Sequence, residues 1–369
     1  MLSSMDDYPL HQAAEPIRHV ATSDRNFYDR YYFNLHGSSD ELFMVMGMGQ
    51  YPNLATQDAF AVVCADGMHR VVRASKELGD RMDTTVGPFR VEVLEPLRRV
   101  RFILEPTEHP IAFDLTWDGS IPAFEEPRHF VRRFGRVLFD TARFAQTGCW
   151  DGRLEVAGRS VEVTPDRWKG TRDRSWGVRP VGEAEPPGIR QGTGQMVGMW
   201  NYAPMQFDGF SILYIVQEEP DGTRPLEESV RIWSDPARGV EWLGRPEYEH
   251  RLEPGTRMIR TPSTLRFPDA PGGALDVQVE PLRHAFIAVG TGYGMDADWR
   301  HGMYHGPLVV QSREWPESEL ASWGWYGIVD HVARFTLGTG EVGFGLHEHG
   351  FFGPFPKYGL TRADDGAPG

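Results

Sequence analysis
The chain has 369 residues, enough at about 150 per domain for two domains with their own cores. Charged residues at 24% and aromatics at 12% are globular values and exclude a disordered chain. A net charge of −14, from 38 basic and 52 acidic residues, argues against nucleic acid or an anionic membrane surface as partner.

Met1 to Leu10 carries Asp6 and Asp7 and no apolar run, so no signal peptide is expected. No apolar stretch approaches the roughly 18 residues of a membrane-spanning helix. Cys64 and Cys149 form neither a disulfide framework nor a CxxC pattern, which suits a cytoplasmic protein. From there the chain reads as short alternating segments broken by turns. Ala59–Val63 and His69–Arg73 flank Asp66-Gly67, a hairpin signature. Arg90–Leu94 and Val100–Leu104 flank Pro96. Leu154–Val156 and Val161–Val163 flank Ala157-Gly158, and Ser211–Gln217 and Ser229–Trp233 flank Pro220-Asp221-Gly222. Further strands are expected at Ala285–Val289, Leu308–Gln311, Ile328–Leu337 and Glu341–Leu346. Helical spacing is confined to Pro127–Leu138, where Phe130, Phe134, Val137 and Leu138 recur at i, i+4, i+7 and i+8. The reading is all-β, sandwiches or barrels rather than βαβ units. Glu183–Gln195, rich in Pro and Gly, is the clearest break. It divides the chain into 1–190 and 191–369. Thr361–Gly369 reads as a frayed tail.

The densest chemistry lies in Thr171–Pro180, TRDRSWGVRP. In extended backbone Asp173 and Ser175 share one face, with Arg172, Arg174 and Trp176 on the other. Asp173 is then either an ion-pair latch to a neighbouring arginine or part of a ligand site. Late in the chain His305, His347 and His349 cluster with Tyr304 and Glu348. On a strand His347 and His349 point one way and Glu348 the other. They could line a pocket, hold a metal or be structural. Upstream, Tyr28–His36 offers Tyr32, Asn34 and His36 as polar fixtures, and Met44, Met46 and Met48 fall on one strand face. Trp200 and Tyr202 add further aromatic walls. There is no GxSxG, no P-loop and no GxGxxG that opens a helix after a strand.

The tract Trp168–Arg179 (WKGTRDRSWGVR), with Phe144–Gly148 before it, resembles the Asp-x-x-Trp-Gly segment of the carotenoid 1,2-hydratase (hydroxyneurosporene synthase)-like superfamily. The later order Thr291–Gly294, Trp299–Gly306 and Gly345–Gly350 is similar as well. The match is to an uncharacterised bacterial branch rather than to the carotenoid enzymes. The resemblance implies two lipocalin-like antiparallel β-barrels packed together, with a largely apolar pocket near their junction. It also implies small-molecule chemistry on isoprenoid-like or polyketide-like substrates: alkene hydration or ring closure. No obligatory metal is implied, and no cofactor is expected.

Such chemistry needs a carboxylic acid kept protonated near neutral pH and aromatic faces to hold a cation. The expected catalytic residues are Asp173, His305 and His347. Trp176, Tyr32, Asn34, Tyr304, Trp200 and Tyr202 are expected to bind a small apolar substrate. The alternative is a non-catalytic carrier of a lipid, sterol or other hydrophobic metabolite.

Overall fold
The structure, a computed structural model, describes residues 2–133, 135–183 and 196–368. The chain is all-β, in two antiparallel sheets that curl into nearly closed barrels. The first half supplies β1 (Phe27–His36), β2 (Leu42–Tyr51), β3 (Thr56–Ala65), β4 (Met68–Glu77), β5 (Thr85–Val86), β6 (Phe89–Glu95), β7 (Arg99–Leu104), β8 (Ile111–Gly119), β9 (Phe124–Glu125), β10 (His129–Arg133), β11 (Arg136–Val156), β12 (Arg159–Val163) and β13 (Lys169–Val178). The second supplies β14 (Gly198–Gln206), β15 (Phe210–Glu218), β16 (Leu226–Trp233), β17 (Val240–Trp242), β18 (Glu247–Leu252), β19 (Ile259–Phe267), β20 (Leu275–Ala285), β21 (Leu308–Pro316), β22 (Val329–Leu337) and β23 (Val342–Phe352).

The first sheet runs β21-β4-β3-β2-β1-β13-β11-β8-β7-β6-β5, and β9, β10 and β12 pair with β11. The second runs β17-β16-β15-β14-β23-β22-β20-β19-β18. Strand β21 comes from the second half of the sequence and pairs with β4 of the first sheet. The break read at Glu183–Gln195 falls almost entirely on residues 184–195, outside the described residues.

Local chemistry places the hairpins. Asp66 and Gly67 both take positive φ between β3 and β4, and Ala157 and Gly158 do so between β11 and β12. That is the turn whose twist matches paired strands. Pro127–Leu138 is a hairpin and not a helix: β10 turns into β11 at Gly135. His129 and Val131 are buried while Phe130 and Arg132 are exposed, a period of two that the aromatic spacing disguised. Ala285 closes β20, so 286–289 is not strand. The tail from Thr361 is docked rather than frayed. Arg257 donates to the carbonyls of Phe351, Gly353, Arg362 and Asp365, each at 2.8 Å, and Ala367 bridges Pro254.

Each sheet encloses its own core. In the first, Met44, Met46 and Met48 meet Phe33, Trp117 and Trp150. In the second, Met199 and Met205 meet Tyr214, Phe267 and Phe335. A third cluster joins the sheets: Phe43, Val45, Phe60 and Val62 of the first against Leu213, Ile215, Val332 and Leu346 of the second. Alternation therefore gives most central strands two buried faces, one for each layer.

Asn34 belongs to this framework and not to a binding surface. The β1–β13 ladder is interrupted between Phe33 and His36. There the Asn34 side chain accepts from the Thr171 N–H at 3.0 Å, and its carbonyl accepts from the Trp150 indole at 2.8 Å. Trp150 is fully buried against Trp117 and Phe33. Trp150→Ala is expected to cost about 3–5 kcal/mol from the cavity alone. Denaturant unfolding of wild type and variant checks this.

Candidate functional site
The strands that face the second sheet carry unusual residues at the rim of the shared cluster. On β1 the alternation sends Tyr28, Arg30 and Tyr32 to that side, and on β13 it sends Asp173 and Ser175. Register sets them in rungs: Tyr32 lies opposite Asp173, Arg30 opposite Ser175 and Tyr28 opposite Gly177. Arg143 of β11 sits beside Ser175. Trp200 of β14 and Glu348 of β23 approach from the other sheet, and Glu126, His129, Phe139, Arg179 and Tyr293 complete the wall. The result is a cavity of about 130 Å³ between the two sheets.

Its lining is mixed rather than largely apolar. Each of two arginines has its own carboxylate. Arg30 donates to Asp58 at 2.9 Å and to the Tyr51 hydroxyl. Arg143 pairs with Glu126 and lies 4.5 Å over the Tyr202 ring. Trp200 donates its indole N–H to Glu348. Tyr32 donates to Asp330 at 2.5 Å. Burial, then the Glu348 carboxylate beside it, pushes the Asp330 carboxyl well above its ordinary range.

Asp173 accepts no side-chain hydrogen bond from the described residues. The flanking arginines leave on the other face. Arg172 donates to Gln146 at 2.8 Å, and Arg174 pairs with Asp29 and stacks 4.2 Å over Tyr31. The latch to a neighbouring arginine does not form. Burial raises the Asp173 pKa to about 7, with Glu126 and Glu348 adding to the rise and Arg143 and Arg179 opposing it. This is the condition of an acid that can give and retake a proton near neutrality.

The structure brings Asp173, Tyr32 and Trp200 together at the cavity. Tyr202 lies in the same shared cluster, its buried hydroxyl without a partner. Four expected residues lie elsewhere, besides Asn34. Trp176 is on the opposite face of β13 and 38% exposed. Tyr304 is an exposed ring bonded to Glu77. His305 stacks on Trp299 at 4.1 Å, away from the cavity lining. His347 points into the second barrel, because on β23 it alternates with Glu348.

His347 joins His250, His284, His331 and His349 there, with neighbouring ring centroids 5.1–6.5 Å apart. Among the described residues no three His, Cys, Asp or Glu are arranged to hold a metal ion. The Ile259 N–H donates to His349 Nε2, so the proton of that neutral ring sits on Nδ1 and leaves no lone pair for a ligand bond.

Sequence reasoning missed Arg30, Arg143, Arg179, Glu126 and Tyr293. A signal for Arg30 existed: Gly47 and Gly49 alternate with the methionines of β2. A Cβ at Gly49 would lie 2.7 Å from Arg30 Nη1, and one at Gly47 would lie 3.0 Å from Nη2. The glycines make room for a guanidinium.

A family model spans residues 2–361. The chain belongs to a family of unknown function, DUF8625. No curated protein matches its sequence. Among solved structures it is similar to a Nitrosomonas europaea protein assigned as AttH, at a TM-score of 0.54 and 13% identity, covering 93% of this chain and 98% of that one. It is similar also to CghA with Sch210972, at 0.50 and 11%, covering 89% of each chain. CghA alone matches at 0.50 and 10%, covering 88% of this chain and 87% of that one. At these identities the likeness shows a related β-barrel fold. No helix among the described residues is long and apolar enough to cross a membrane.

The histidine cluster makes the fold acid-sensitive. Burial holds His347 at about 3 and His284 at about 4, and burial plus the neighbouring rings holds His250, His331 and His349 well below the usual 6.5. Unfolding frees each ring to take a proton. Stability is therefore intact above about 6.5 and falls as pH drops below it, by up to about 1.4 kcal/mol per pH unit per histidine. Thermal unfolding midpoints measured from pH 7.5 to 5 should fall steeply. His331→Phe is expected to flatten that slope.

Proposed function
We propose that the protein is a cofactor-independent lyase or cyclase that uses acid catalysis on a small unsaturated molecule, with Asp173 as the acid. The observation that carries this reading is the Asp173 carboxyl: it faces the junction cavity, clear of both flanking arginines, with a pKa near 7. The tracts similar to the carotenoid 1,2-hydratase-like superfamily support it, and so does the two-barrel fold. The isoprenoid-like substrate is that resemblance's contribution. The cavity admits only the reacting end of such a molecule.

Protonated Asp173 adds its proton to one alkene carbon and becomes a carboxylate. Positive charge develops on the neighbouring carbon, and the Trp200 ring, which lines the same cavity, is the aromatic group available to stabilise it. In hydration, water bonds to that carbon and returns a proton to Asp173. In ring closure, a second alkene of the substrate attacks the carbon, and the proton lost from the new ring system returns to Asp173. Either way the acid is regenerated without redox change. Tyr32, held by Asp330, stands opposite Asp173 and is positioned to orient water or a substrate oxygen.

Asp173→Asn is expected to lower kcat on an accepted alkene by about 10²–10⁴, the usual worth of a positioned acid. Product formation measured by mass spectrometry reads this, and an unimpaired variant removes Asp173 from the mechanism. Activity should also fall as pH rises through about 7, because the acid must be protonated. A carrier would instead yield co-purified ligand without product in native mass spectrometry.

A further inference from the structure
Two guanidinium groups that line the cavity carry buried donors that nothing answers. Arg30 is 2% exposed. Its Nη1 is spent on Asp58 and Tyr51, but its Nη2 has no hydrogen-bond partner. The Nε of Arg179 is also buried without a partner. Both side chains line the cavity, and both lie 5.7 Å from the Tyr293 ring centroid. Arg179 stacks 4.4 Å over Tyr28 as well. Buried guanidinium donors left unanswered carry a large desolvation cost. The fold spends two glycines of β2 to keep Arg30 there.

We infer that the part of the cavity lined by Arg30 and Arg179 is a subsite for a planar anionic oxygen head group, the carboxylate or enolate of an organic acid. A forked guanidinium matches such a group in plane and charge. Asp58 already answers the charge of Arg30, whereas Arg179 has no ion-pair partner among the described residues. Spacing then orders the substrate. Arg30 lies one rung from the Tyr32–Asp173 rung, about 7 Å along the strand. A head group held at the arginines presents a bond a few carbons along its chain to Asp173. The substrate is thus an unsaturated acid and not a bare hydrocarbon.

This rests on the cavity being a substrate site, but not on Asp173 being its acid. The probe is sorbate, a short dienoic acid, compared with 2,4-hexadienol, which has the same body without the carboxylate. Titration calorimetry at neutral pH is expected to show wild type binding sorbate at least about tenfold more tightly than the alcohol, the worth of a charged hydrogen bond. Arg179→Gln should bring sorbate down to the alcohol's affinity at an unchanged unfolding temperature. Equal affinity of the two probes for wild type overturns the subsite. A folded Arg179→Gln protein that keeps the preference also overturns it. The wild-type comparison needs no variant, so a folding failure of Arg179→Gln leaves it decisive. Asp173→Asn should retain the sorbate preference even where turnover is lost, which separates failure of the acid from failure of the subsite.

Discussion
A guanidinium buried to 2% exposure must have its charge answered, and much of the site follows from how Arg30 is answered. Asp58 supplies the charge, and Tyr51 bonds both partners. The same Asp58 carboxylate accepts from the Gly302 N–H at 2.8 Å, while Thr56 donates to the Gly302 carbonyl at 2.9 Å. These bonds fasten the loop before β21 onto the first sheet. That loop carries His301, whose ring meets Tyr293 edge-on at 4.3 Å. The ion pair thus places the aromatic wall of the cavity as well as its cation. Removing either partner would leave the other charge buried and would loosen the loop that shapes the site.

The same principle explains how an acid with a raised pKa coexists with three arginines. Arg30 is matched by Asp58 and Arg143 by Glu126, so the net field of each at Asp173 is small. Glu348 opposes what remains, the field of Arg179. Burial then dominates and raises the pKa to about 7. The cavity is consequently neither the apolar pocket of a hydrocarbon binder nor an open charged cleft. It is a junction in which most charges are paired and a few donors are left over.

The two-sheet design makes such a junction possible. Each barrel seals its own core with one face of its strands, so the other face can carry polar residues if they satisfy one another. On β22 and β23, Asp330 and Glu348 face the junction, while His331, His347 and His349 face the barrel interior. One alternating sequence builds two different polar clusters on opposite sides of the same strands.

Much of this was legible locally. Turn chemistry at Asp66-Gly67 and Ala157-Gly158 and the period of two determine hairpins, and they determine which residues share a face. They put Asp173 opposite its flanking arginines and Glu348 opposite its flanking histidines. The misreading at Pro127–Leu138 arose because aromatic spacing imitated a helix where one face of a hairpin is exposed. Sequence could not decide which face meets which. The inward turn of His347, the structural use of Asn34 and the approach of Arg30 and of Arg179 to Tyr293 depend on contacts between residues far apart in the chain. Alternation is a property of one strand and is written in its residues. The partner of each face is set by how two curved sheets pack, and only the tertiary structure decides it.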